Sequence, residues 1–195
     1  MSASARMGLK HVCGRLRRNA WSVAALLLAV AALPGCHGST ARGQTMKLTT
    51  TSFEGSQIPA RFTCSGAGTS PQLAWSAPPA ATVSFALIVT DPDAPRGTFV
   101  HWVLYDLPAG TRALPEGLPA QGQLADGSRQ GRNDFGSIGY GGPCPPRGPA
   151  HHYIFTLYAL DAKLNLAVGA TRAQMETAMQ GHILAQGELI GLYQR

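Results

Sequence analysis

The stretch "VSFALIVTDPDAPRGTFVHWVLYDL", residues 83–107, decides the fold. Two runs rich in β-branched and aromatic residues flank a segment broken by two prolines and a glycine, which reads as two strands joined by a stiff turn. Pro92 and Pro95 fix their own φ angles and bias the residues before them away from helix, so the turn presents the Asp91 and Asp93 carboxylates at the end of the first strand. His101 opens the second strand. A buried strand that ends in carboxylates and returns through a histidine is one wall of a small anion-binding pocket.

The rest of the chain repeats the strand-and-breaker pattern. "MKLTTTSF", "SPQLAWS", "YIFTLYALD" and "GHILAQGELIGLY" are further strands bounded by Gly, Pro and Ser, which points to an antiparallel β-sandwich. "VSFALIV" and "YIFTLYAL" carry few polar residues and belong at the centre of a sheet, whereas "MKLTTTSF" suits an edge. One helix is signalled: Thr171 and Gln174 form a T-x-x-Q capping box, Met175, Ala178 and Met179 give an apolar face, and Gly181 supplies a left-handed stop. It is expected to cover a sheet end, with the Met pair as core filler. The segment from Asp106 to Ala150 is full of Gly and Pro and lacks periodicity, so a long folded loop is expected, with "GYGGPCPP" pressed against the site.

The first 35 residues are set apart. "MSASARMGLKHVCGRLRRNA" carries five Lys/Arg and no acid, and the apolar run after it, about a dozen residues, falls short of the ~20 that a spanning helix needs. This is an export signal. "LPGC" resembles the lipobox of bacterial lipoproteins, which makes Cys36 the lipidated residue, although Pro34 departs from the small residue usual there; the alternative is a soluble periplasmic protein with a chance cysteine. Acyl chains on Cys36 would supply the two anchors that stable membrane attachment requires. Residues 36–45 are then the lipidated N-terminus and polar tether, and residues 46–195 the folded domain.

Removing the signal leaves eleven Lys/Arg against ten Asp/Glu, so the mature protein is nearly neutral and its composition gives no footprint for nucleic acid. It also removes Cys13, and with Cys36 lipidated it leaves Cys64 and Cys144, which in an oxidising compartment form either one disulfide or two separate buried thiols.

His151, His152 and Tyr153 open the strand after "CPPRGPA", and alternation puts His151 and Tyr153 on one face and His152 on the other. An aspartate near two imidazoles can hold a metal, act as acid or base, or bind an anion. The short spacings of metal sites are absent, and no G-x-S-x-G elbow or nucleophile beside a base is present, so no metal, cofactor or catalytic residue is assigned. Binding is the remaining use: the aspartate fixes one imidazole, the other ring N–H donates to a ligand oxygen, and the amides of Gly141 and Gly142 form an anion nest. The plainer alternative is that these residues merely tie a loop to the sandwich.

The motifs "DPDAP", "HW", "GGPCPP" and "HHYIFTLYALD", in this order, resemble the phosphatidylethanolamine-binding protein family in its bacterial Raf-kinase-inhibitor-like branch. "IPARFTCSGAGTSPQLAWS" and "GHILAQGELIGLY" are similar to that branch too, so the resemblance spans nearly all of residues 46 to 193. It implies a mainly β sandwich with one or two short covering helices and one cavity for phosphate-like anions. Carried over to this chain, the ligand-binding residues are Asp91, Pro95, His101, Gly142, Pro143, His151 and Tyr153. His152 stands where the family more often has arginine, but points away from the pocket on the alternation argument. The leading expectation is an anchored, periplasm-facing protein that binds a small anionic or phosphorylated ligand. The alternatives are a protein-partner or inhibitor role using the same pocket and the long loop, and a hydrolase with His101 or His151 as base.

Overall fold

A computed structural model describes residues 44–195. The expected signal, the expected lipidation site at Cys36 and all but the last two residues of the expected tether lie outside the described residues. Nine strands and one α-helix are found among those described: β1 (Gln44–Thr45), β2 (Leu48–Thr49), β3 (Leu73–Trp75), β4 (Ser84–Asp91), β5 (Phe99–Pro108), β6 (Ala113–Leu114), β7 (Arg129–Gln130), β8 (His151–Leu160), α1 (Arg172–Met179) and β9 (Ile183–Tyr193). The protein is mainly β. A six-stranded sheet has the order β1-β9-β8-β4-β5-β7, and a three-stranded sheet the order β2-β3-β6.

The apolar runs take the inner positions of the larger sheet. β4 pairs antiparallel with both β5 and β8, and all but one of its residues are buried, which is why its sequence lacks the alternation of a half-exposed strand. β8 does alternate, with His151, Tyr153, Phe155 and Leu157 buried and His152 exposed. One face of the large sheet contributes Phe85, Leu87, Trp102, Leu104, Phe155 and Leu157 to a core shared with Leu48, Leu73, Trp75 and Leu114 of the small sheet. The opposite face buries Ala86, Ile88, Val103 and Tyr105 against Met175 and Met179 of α1.

The helix therefore covers a sheet face rather than the sheet end expected from sequence. Its start and stop follow the sequence signals: the Thr171 side chain accepts from the Gln174 N–H, the Gln174 side chain accepts from the Thr171 N–H, and Gly181 has φ +80°. The Met pair is core filler.

Three strands depart from the sequence reading. β6 and β7 lie inside the segment expected to be an unpatterned loop, where they pair with β3 and β5. β1 falls in the expected tether and runs parallel to β9, placing a strand two residues before the expected start of the domain. Each is two residues long, too short to carry a periodicity of its own.

Candidate functional site

The end of β4, the start of β5 and the start of β8 meet at one end of the large sheet, and the polar residues flagged there come together. Asp91 is the last residue of β4 and is almost fully buried. Its Oδ2 accepts from His151 Nδ1 at 2.8 Å, and its Oδ1 accepts from the Asp93 N–H at 2.9 Å. The second contact holds the proline turn against the carboxylate. On the outer side Asp93 Oδ2 accepts from both the backbone N–H and the Nδ1 of His152, at 2.8 and 2.7 Å. The backbone hydrogen bond from His152 is the main cause that keeps the Asp93 carboxyl below the usual carboxylate range. His152 thus fastens the turn from outside while His151 fastens it from inside.

His101, on β5, is buried and its Nδ1 lies 2.7 Å from the Gly141 carbonyl oxygen. A carbonyl can only accept, so Nδ1 carries the proton and Nε2 is the atom left for a ligand. Burial holds this imidazole below its ordinary value, outweighing the Gly141 carbonyl and the Asp91 carboxylate that favour its charged form. Tyr153 packs its ring edge-on against His101 at 5.1 Å, and its hydroxyl is buried without a hydrogen-bond partner. Burial, and after it the Asp91 charge, push that hydroxyl well above the usual phenol range, so it stays a neutral donor.

A cavity of about 600 Å³ opens onto this group, lined among others by Asp91, Pro95, Arg96, His101 and His151. Gly142, Pro143 and Tyr153 are not among its walls. Gly142 faces a smaller neighbouring cavity of about 270 Å³. A Cβ there would stand 2.7 Å from the Phe62 carbonyl oxygen, so its glycine serves the close approach of two loops. Pro143 is buried, and its carbonyl accepts from the Cys64 N–H at 3.0 Å. The anion nest expected at Gly141 and Gly142 is corrected in part, because the Gly141 N–H already donates to the His101 carbonyl at 2.8 Å. "CPP" takes their place in the wall through Cys144, Pro145 and Pro146.

Sequence reasoning missed Phe99, Arg96, Asp134 and Phe135, which also line the cavity. Phe99 shares the face of β5 with His101, a period-two signal that was legible. Phe135 sits in the long loop with no periodicity to flag it, yet it stacks edge-on against Phe99 at 4.7 Å and remains half exposed. Asp134 ties the loop to β5 by accepting from the Val100 N–H at 2.7 Å.

Cys64 and Cys144 are bonded to each other, with Cα atoms 5.3 Å apart across a sequence separation of 80. The bond closes the alternative of two separate thiols and pins the cavity wall to the turn at residues 60–63.

Comparison with known proteins bears on this geometry. A family model described as phosphatidylethanolamine-binding protein matches residues 49–194. A UPF0098 protein of Pyrococcus horikoshii is 46% identical over 164 residues, covering 83% of this chain and 82% of that protein. A UPF0098 protein of Aquifex aeolicus is 49% identical over 159 residues, covering 80% and 92%. Among solved structures, a phosphatidylethanolamine-binding protein homologue from Chlamydia trachomatis superposes with a TM-score of 0.70 at 40% identity, covering 78% of this chain and 99% of its own. YbcL of E. coli, described as a member of the mammalian family, gives a TM-score of 0.72 at 34% identity, covering 77% and 98%.

Proposed function

The chain belongs to the phosphatidylethanolamine-binding protein family, and on that premise we propose that its two-sheet sandwich is an exported, lipid-anchored module that binds phosphate-like anions or small phosphorylated ligands. One observation carries the reading. Two imidazoles face one cavity, each with Nδ1 committed to a fixed acceptor, so each turns Nε2 toward the ligand. Tyr153 lies outside the cavity wall, where its ring packs edge-on against His101. Asp91 is a positioning residue: it orients His151 and leaves the anion to the imidazoles.

This reading favours binding over turnover. Among the described residues, the cavity wall holds no serine, its only cysteine is in a disulfide, and its one hydroxyl side chain, Thr98, makes no hydrogen bond to His101 or His151. A second reading, capture of a protein partner's phosphorylated or acidic group, draws on Phe135, whose half-exposed ring at the cavity is supplied by the long loop.

A pH dependence follows from the tautomers. Neutral His101 presents a lone pair at Nε2, so a phosphate oxygen is accommodated only when a proton lies between them, on the ring or on the phosphate. Burial disfavours the charged ring, so that proton is taken up with the anion. Affinity for inorganic phosphate should therefore strengthen as pH falls and weaken as it rises, by roughly tenfold per pH unit at most for one coupled proton. Calorimetric titration from about pH 5 to 8 measures this. A flat profile would mean that neutral donors suffice.

A further inference from the structure

The disulfide is placed where its opening would change the cavity. Cys144 borders both the main cavity and the smaller one, and Pro145 and Pro146 after it line the main cavity. Besides the bond, this wall is held to the turn at residues 60–63 by the Cys64 N–H to the Pro143 carbonyl at 3.0 Å and the Tyr140 hydroxyl to the Phe62 carbonyl at 2.9 Å. Neutral hydrogen bonds exchanged for water contribute little net stability each, so the covalent link is the principal fastening.

Its surroundings are not those of an inert core disulfide. Cys64 is exposed and Cys144 half-buried. The Arg195 guanidinium reaches both sulfurs, with Nη1 at 3.4 Å from Cys144 Sγ and 3.8 Å from Cys64 Sγ. A cation beside a sulfur favours its thiolate, and a favoured thiolate is the better leaving group in exchange.

We infer that the Cys64–Cys144 bond is an exchange site for an incoming dithiol, which attacks at exposed Cys64 and expels Cys144 as a thiolate held by Arg195, thereby freeing the wall of the cavity. In the first step a thiolate of the dithiol forms a bond to Cys64 Sγ as the Cys64–Cys144 bond breaks, its electron pair departing on Cys144 Sγ. In the second, the other thiol of the dithiol, as its thiolate, attacks its own partner sulfur and releases Cys64. The dithiol leaves as a disulfide, oxidised by two electrons, and the protein is reduced by two, its thiolates taking protons from water. The inference deepens the binding reading on which it rests, because it makes the grip of the same cavity depend on the redox state of its wall.

The test uses dithiothreitol on the oxidised protein, following free thiols by alkylation and mass. Arg195→Gln should slow reduction on the order of three- to tenfold, with Arg195→Lys keeping most of the wild-type rate. After reduction, the amides of Cys64 and Gly141, bonded to the Pro143 and His101 carbonyls, should exchange hydrogen faster by at least about tenfold. Equal reduction rates in wild type and Arg195→Gln, or unchanged protection of both amides in fully reduced protein, would overturn the inference. Both readouts are made without ligand, so their outcome is separate from that of the phosphate titration.

Discussion

Asp91→Ala should lower the unfolding free energy by about 3 kcal/mol and weaken phosphate binding by about tenfold or more. The two effects have one cause. The Asp91 carboxylate and the His151 imidazole are both nearly sealed from water, and the alanine leaves the Nδ1 donor facing a void. A buried donor that loses its acceptor carries its full desolvation cost, which is why truncation is more harmful than the modest net worth of the pair suggests. The Asp93 N–H loses its acceptor as well, so the proline turn loosens on the cavity side. With the imidazole no longer fixed, Nε2 spends less time aimed at the ligand. Asp91→Asn keeps an oxygen in place and should fall between wild type and alanine on both measures. Urea unfolding and phosphate titration of the three proteins check the order; unchanged affinity in Asp91→Ala would remove the positioning role.

Replacing both Cys64 and Cys144 by serine should cost up to about 4 to 5 kcal/mol, the loop-closure entropy for a separation of 80 residues. The figure is an upper one, because such estimates often exceed what is measured. For a chain of this size, each kcal/mol corresponds to roughly 2 to 4 °C in Tm, so a fall of several degrees, up to about 8 to 20 °C, is expected by calorimetry. Little change in Tm would show that packing of the long loop alone holds the wall.

Much of the fold and of the site was legible because it rests on period-two patterning. The central places of β4 and β8 follow from their apolar runs, and the inward turn of His151 and Tyr153 and outward turn of His152 follow from alternation alone. The capping box marked α1 to the residue. What escaped is decided by partners far away in the chain. β6 and β7 are strands only because β3 and β5 offer them backbone groups. The helix's apolar face was readable, but not that the buried surface waiting for it was the Ile88 and Val103 side of the sheet. At the site, Gly142 was recognised but its role was not. Its constraint is the nearness of Phe62 and Thr63, a contact that no local pattern encodes. Phe135 escaped for the same reason, since only the folded loop brings it to Phe99 and His101.

The central claim is that anions bind at the paired imidazoles. Calorimetric titration of the purified wild-type protein with inorganic phosphate and phosphorylated head groups, beside His151→Ala, tests it most directly. Saturable binding by the wild type that is lost in the folded variant is the predicted result. No binding by the folded wild type, or equal binding by His151→Ala, would contradict it.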